Sequence, residues 1–284
     1  GKSDASGKIV DRDLLIASSV SGRMATEDEF IACEEIGNKL LPDETEVCSI
    51  TKKRVNRNLI GTSDLSGKRG LSRLLQICPE TRKAGFATEL VVCAVSKLRV
   101  APSEITTCSV TGETVLTRMM VECAVSGRHL RSDKAQTSDK TGRLGHPDEI
   151  RICTWTRRRL LADETRQCGI TGLDFDNELL SESSPALPIL NLLQSGIPNL
   201  QPPDPDTERL RLALGKAGVK AKKIAKESSS DGNTVAYFAD CSGLFGLRKR
   251  YAVGFAANDE EFRLLHIPCC GQLLDNSWVP ENQK

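Results

Sequence analysis

Cysteine recurs in this chain on a fixed ruler: Cys33, Cys48, Cys78, Cys93, Cys108, Cys123, Cys153 and Cys168 are all separated by multiples of fifteen residues. Thiolates at constant spacing are zinc-ligand material, so metal binding is the first chemistry to test. A structural zinc site takes four ligands, usually two from each of two C-x-x-C pairs. Here each interval offers one cysteine, and Ser or Thr followed by Gly stands where the second cysteine should be, as in CSVTG from Cys108 and CAVSG from Cys123. Hydroxyls bind zinc poorly. Serine also replaces cysteine at Ser3, Ser18, Ser63 and Ser138 without leaving neat groups of four. The pattern therefore predicts small buried side chains closing the base of a turn, with no metal and no cofactor.

The other reactive groups do not form a catalytic set. His129, His146 and His266 lie in unrelated contexts, and the opening GKSDASGK misses the spacing and the hydroxyl of a phosphate-binding loop. In the tail, Cys241, His266, Cys269 and Cys270 are enough residues for four ligands, but two of them are adjacent and no C-x-x-C occurs. An enzyme housed there would need a cleft gathering His266 and Cys241 or Cys269 with a carboxylate. The expectation is no catalytic residue and no enzyme.

The elements behind the ruler are repeats. From Ser3 to Glu182 the chain divides without a gap into twelve units of fifteen residues, with consensus C-x-V-(S/T)-G-(K/R)-x-(V/L)-x-P-(D/S)-E-L-x-x. Positions 3 to 6 carry a polar residue and then Gly between apolar stretches, the signature of a tight hairpin turn. Lys52, Arg82, Lys97 and Arg157 replace that Gly in four units. Positions 9 to 12, as in LPDE, APSE and HPDE, predict a type I turn or one helical turn led by Pro. Only four or five residues remain between turns, enough for a strand and too few for a helix. The expected fold is a mainly β tandem-repeat array over residues 3–182, as a β-hairpin ribbon or short solenoid. A capping segment and Pro-rich linker follow over 183–206, then a small α+β domain over 207–284. In the capping segment Leu187 to Leu193 suits a short helix, and in the last domain Thr207 to about Ala217 suits a second, ended by Gly215 and Gly218. TVAYFADC, KRYAVGFAA and EFRLLHIP read as strands of a meander.

The C-x-x-(S/T)-G phrase resembles a degenerate zinc knuckle that has lost its metal and kept its hairpin. Tandem units of this kind are similar to extensions of bacterial Swi/Snf-class helicase-like proteins. That resemblance implies an accessory region of a larger ATPase, although no ATPase motif occurs in this chain. An array beginning at residue 3 with no capping element is likewise expected to be a piece of something larger or to be covered by a partner.

Charge nearly cancels, 39 Lys and Arg against 38 Asp and Glu, so a nucleic-acid case must rest on local distribution. Position 6 carries Lys8, Arg23, Lys53, Lys68, Lys83, Arg128, Arg143 and Arg158, while positions 11 and 12 are rich in Asp and Glu. Regular stacking would give one basic and one acidic edge, unless the opposite charges pair between neighbours. The candidate contacts to nucleic acid or an acidic partner are Lys52, Lys53, Arg54, Lys68, Arg69, Arg157, Arg158 and Arg159 in the turns. In the tail they are Lys220, Lys222, Lys223, Lys226, Arg248, Lys249 and Arg250, the last three preceding Tyr251. A basic strip beside aromatics holds single strands by charge plus stacking. The functional expectation is a non-catalytic binding or scaffold region of a larger protein, contacting nucleic acid through these residues. The alternative is a structural or protein-interaction array. With no secretory signal and no apolar run near the roughly 20 residues a bilayer needs, the expected setting is cytoplasmic, with no membrane.

Overall fold

A computed structural model describes residues 1–182, 185–202, 204–243, 249–274 and 277–281, without the side chains of 196–198 and 206. The fold is mainly β: short antiparallel hairpins in tandem, then two helices and a five-stranded sheet. The chain divides into two compact units, Gly1–Met120 and Val121–Lys284.

Each repeat begins with the same knuckle. The position 1 N–H donates to the position 6 carbonyl, and the position 5 N–H donates back to the position 1 carbonyl, as in Cys33 to Asn38 at 2.8 Å and Gly37 to Cys33 at 2.7 Å. Closing both bonds forces position 5 into the left-handed region. Its φ is positive in all twelve repeats, including 64° at Lys52 and 56° at Arg157. Glycine is the residue that enters this region without strain, which explains its prevalence there. Positions 10 to 12 then form one turn of 3-10 helix, led by proline in Pro42–Glu44, Pro102–Glu104 and Pro147–Glu149. Between these turns run strands of two or three residues. Positions 13 to 15 of one repeat pair with positions 9 to 7 of the next, giving Leu15↔Thr26, Ile16↔Ala25 and Ala17↔Met24, and again Ile150↔Leu161, Arg151↔Leu160 and Ile152↔Arg159.

Hairpins this small are not stable alone, so neighbours supply the rest. The position 2 N–H of one knuckle donates to the position 7 carbonyl one repeat on: Asp4 to Met24 at 2.7 Å, Glu34 to Arg54 at 3.0 Å, Asp139 to Arg159 at 2.8 Å. Position 8 turns inward, and Leu40, Val55, Val100, Val115, Leu160 and Phe175 are fully buried there.

In the second unit the last repeats share a core with the terminal sheet. Its strands, in sheet order, are β1 (Lys223–Ser228), β2 (Thr234–Asp240), β3 (Tyr251–Ala257), β4 (Cys269–Leu274) and β5 (Ser277–Pro280). Strands β2 and β3 are buried on both faces because each face has its own cover. One face sends Phe238, Val253 and Phe255 against Cys153, Phe175 and helix α1 (Leu187–Asn199), which contributes Ile189, Leu192 and Leu193 at helical spacing. The other sends Val235, Tyr237 and Ala252 against Leu210 and Leu214 of helix α2 (Pro205–Lys216). Helix α2 starts where Asp204 accepts the Thr207 N–H at 2.7 Å, with Pro205 at its first position. Gly218, at φ 82°, follows its end; Gly215 lies inside it.

The segment EFRLLHIP is not the strand its apolar content suggests. Asp259 Oδ1 accepts the N–H groups of Glu261 at 3.2 Å and Arg263 at 3.1 Å, and Phe262 takes φ 49°, so the backbone is turned there. Only an isolated bridge, Ala256↔Leu264, survives. The strands that the sequence reading did not name are β1, β4 and β5, and the lysines of β1 disguise it as part of a basic run. Lysine on an edge strand discourages pairing with other chains.

Candidate functional site

The nominated cations are spread over the knuckle turns, the short strands that follow them and, in the tail, β1 and its approaches, and many have partners of their own. Lys52, Lys53 and Arg54 are exposed on the fourth knuckle and the strand after it, and Arg157, Arg158 and Arg159 on the eleventh. Lys53 lies 3.7 Å from Glu35, Arg69 2.5 Å from Glu46, Arg159 3.2 Å from Asp139 and Arg250 2.9 Å from Glu281. Arg54 reaches the Thr45 hydroxyl at 3.2 Å and Lys222 the Gly243 carbonyl at 3.2 Å. Lys226 sits over the Phe262 ring at 5.8 Å. Lys68, Lys220, Lys223 and Lys249 are exposed, and Arg248 lies outside the described residues.

One alternative that the sequence leaves open is answered here, and one expectation is corrected. In several repeats the opposite charges pair between neighbours, because the knuckle docks one repeat along and brings position 6 onto positions 11 and 12 of the next. Arg23 meets Asp43 at 2.6 Å and Glu44 at 3.3 Å, Arg128 meets Glu149 at 3.1 Å, and Arg143 meets Asp163 at 2.8 Å. Tyr251 does not offer a stacking surface: it is 4% exposed, stacked on Phe238 with ring centroids 4.9 Å apart.

The most organised polar feature is one that the ruler only half reveals. At position 1, every serine hydroxyl donates to a glutamate at position 12 of the next repeat: Ser3 to Glu29, Ser18 to Glu44, Ser63 to Glu89 and Ser138 to Glu164, each at 2.6 Å. The same carboxylate oxygen accepts the position 9 N–H, from Thr26, Leu41, Phe86 or Leu161 at 2.9–3.0 Å. Where cysteine stands instead, its sulfur accepts that position 9 N–H directly. Asn56 donates to Cys33 at 3.3 Å, Leu71 to Cys48 at 3.3 Å, Ala101 to Cys78 at 3.3 Å and His146 to Cys123 at 3.2 Å. Position 12 is then Leu59, Leu74, Met119, Lys134 or Leu179, or else Glu104 or Glu149. Glu149 is engaged by Arg128, and Glu104 accepts the Ser103 hydroxyl at 3.0 Å. Serine and cysteine are therefore not simple substitutes at this position. The readable signal was a glutamate twenty-six residues after each serine.

These sockets carry charge. The Ser3 hydroxyl and Thr26 N–H hold the Glu29 carboxyl at about 2. At Glu44 burial works against ionisation, but the Ser18 and Ser21 hydroxyls and the Leu41 N–H outweigh it and leave about 2. Burial likewise raises the Cys48 thiol, and the Thr51 hydroxyl with the N–H groups of Thr51, Leu71 and Ile50 brings it down to about 7.

The tail's reactive groups are only partly assembled. His266 Nε2 accepts the Phe255 N–H at 3.1 Å, and its Nδ1 lies 2.7 Å from the Ile267 carbonyl, so both ring nitrogens are committed to backbone. Cys269 Sγ is 3.9 Å from His266 Nδ1, yet it points its proton at the Ile170 carbonyl, 3.1 Å away. Burial pushes the His266 imidazole down, the Cys269 thiol up, and the Cys241 thiol up to about 12. A thiolate–imidazolium pair needs the opposite shifts. Among the described residues no three His, Cys, Asp or Glu side chains gather as metal ligands, and no helix is long and apolar enough to cross a membrane. No protein-family model, curated protein or solved structure matches this chain.

Proposed function

We propose that this chain is a non-catalytic binding scaffold of a larger cytoplasmic protein or complex, and that its knuckle tips contact nucleic-acid phosphates. The observation that carries the reading is at position 5. Four of the twelve left-handed positions hold Lys52, Arg82, Lys97 and Arg157, all exposed, at φ between 56° and 64°. A side chain in that conformation costs about 1 kcal/mol relative to glycine. Every repeat that accepts the strain does so for a cation, and these four have no acidic partner among the described residues. Such a repeated array of charges suits a polyanion read by its backbone. The likeness to extensions of Swi/Snf-class helicase-like proteins supports the same role, as an accessory region of such an engine.

The test exploits the strain. Replacing Lys52, Arg82, Lys97 and Arg157 together with Gly removes the charges while leaving the knuckles at least as comfortable. Binding of the parent chain to a single-stranded or duplex oligonucleotide should weaken steeply with salt. In the variant the slope of log K against log salt should shrink by about 0.7–0.9 per lost contact. An unchanged slope, or no binding by the parent, ends this reading.

A second reading, a protein-interaction array, is carried by position 15. Val47, Ile77, Val92 and Ile152 recur at this one repeat position and expose 46–67% of their surface there. It predicts a protein partner, loss of that partner on substitution with Ser at these four residues, and indifference to oligonucleotides.

A further inference from the structure

We propose that the seventh knuckle docks on a second copy of this chain, seating on the uncovered face of β4 and β5. The first ground is a likeness between two knuckles. Position 6 is Lys or Arg in eight of the twelve repeats, and its two apolar members are Leu98 and Leu173. Both stand in the same setting, CAVSKL from Cys93 and CGITGL from Cys168, with a small residue at position 2 and a β-branched apolar residue at position 3.

The twelfth knuckle shows what such a setting accepts. Ile170 and Leu173 pack against the core that Cys269 and Leu273 of β4 and Trp278 of β5 also join, and Cys269 Sγ donates to the Ile170 carbonyl at 3.1 Å. An apolar knuckle is thus the seat of a β-sheet face. In the seventh knuckle the counterparts Val95 and Leu98 remain 37% and 39% exposed. Where eight repeats place a cation that water solvates, a leucine gains by being covered.

The matching surface belongs to the same two strands. Leu273 pairs with Trp278 and turns with it toward the twelfth repeat, so the alternate residues Leu274 and Val279 turn to the other side. Helix α2 covers that side over β2 and β3, through Leu210 and Leu214. Over β4 and β5 it is open, with Leu274 56% and Val279 42% exposed. The strands therefore hold one apolar knuckle on one face and lack its equivalent on the other. Charge favours the seventh for the vacant side. Lys97, which replaces the Gly172 of the twelfth knuckle, has no carboxylate partner among the described residues. Glu281, paired opposite Cys270 at the border of the open face, gives one carboxylate oxygen to Arg250 at 2.9 Å and keeps the other free. Knuckle and face are both exposed in the one chain, so each finds its cover on another copy. Two unlike surfaces make the contact heterologous, and copies join head to tail. Patches this small belong with dissociating complexes.

The experiment is sedimentation equilibrium of the whole chain over a concentration series. The average mass should rise with concentration, and Leu98→Lys and Val279→Lys should each weaken the association about ten-fold or more. Lysine already fills position 6 at Lys8, Lys53, Lys68 and Lys83, so the first variant keeps a knuckle that folds. Leu274→Lys replaces the second if Val279→Lys lowers the unfolding midpoint. Mixing is the decisive step. A Leu98→Lys chain keeps its sheet face and a Val279→Lys chain keeps its knuckle, so the mixture should form one-to-one dimers and stop there. A parent that stays monomeric throughout overturns the proposal. So does association that Leu98→Lys leaves unchanged, or a mixture that fails to recover it. Leu98→Lys adds a cation and should not weaken oligonucleotide binding, so this failure is distinct from that of the phosphate-binding reading.

Discussion

The repeats and the terminal sheet solve the same problem with different materials. In the sheet, β2 and β3 bury Tyr237, Phe238 and Phe255 completely, and position follows from the shapes of large rings. In the repeats each hairpin buries a residue at position 8, glycine at Gly70, Gly85 and Gly145, and in several a second at position 9, as at Leu41, Leu71, Phe86, Leu116 and Leu161. To this modest apolar core the buried polar bonds at position 1 add direction. The difference teaches that a repeat with a thin core can be specified by polar geometry, provided every buried donor is answered.

The largest effect should come from the junction of the two materials. Phe255 lies 5.1 Å from Phe175 and 6.0 Å from Trp155, centroid to centroid, so a sheet residue completes the core of the eleventh and twelfth repeats. Phe255→Ala should lower the stability of the second unit by about 3–5 kcal/mol. Hydrogen exchange is the check: amides of β2, β3 and the strands Arg159–Leu161 and Asp174–Asp176 should lose protection together. If the strands of the repeats kept theirs, the shared core would be a fiction of proximity.

A middle-sized effect should isolate the polar device. Glu44 keeps 9% of its side chain exposed and joins Ser18, Ser21, the Leu41 N–H and Arg23. Glu44→Gln retains the shape and removes the charge, which should cost about 1–3 kcal/mol at neutral pH. Its carboxyl is depressed from 4.5 to about 2, so its contribution is complete above 4.5 and disappears as pH falls through about 2. Acid unfolding of the variant should therefore lack part of the steepness of the parent. Equal acid limbs would assign the stability of this socket to packing instead.

Much of the array was legible because each cue is local. The alternation of a left-handed turn and a Pro-led helical turn is written within fifteen residues, and both turns form where the residues place them. The serine–glutamate link was equally present in the sequence but spans twenty-six residues and two repeats, so a comparison of units position by position averages it away. In the tail the difficulty was the reverse. Lysines in β1 hid a strand whose inward residues are only Ile224 and Ala225, while the apolar letters of EFRLLHIP concealed the turn set by Asp259. Whether opposite charges pair between neighbours was open in the sequence because it depends on the docking of knuckles one repeat along, which brings Arg23, Arg128 and Arg143 onto carboxylates of the next repeat.

The smallest effects test whether the knuckle is governed by backbone conformation or by space. A Cβ added at Gly37 meets nothing within 4 Å, so Gly37→Ala probes only the penalty of φ 78°. It should destabilise by about 1 kcal/mol. Lys52→Gly runs the comparison backwards at φ 64°. There the relief of strain, about 1 kcal/mol, is offset by the greater freedom of glycine in the unfolded chain, about 0.4–1 kcal/mol. Urea midpoints should thus fall clearly for the first and stay level or rise slightly for the second. A clear fall for Lys52→Gly would mean that the lysine makes a stabilising contact within the chain, and the case for it as an outward-facing charge would be lost.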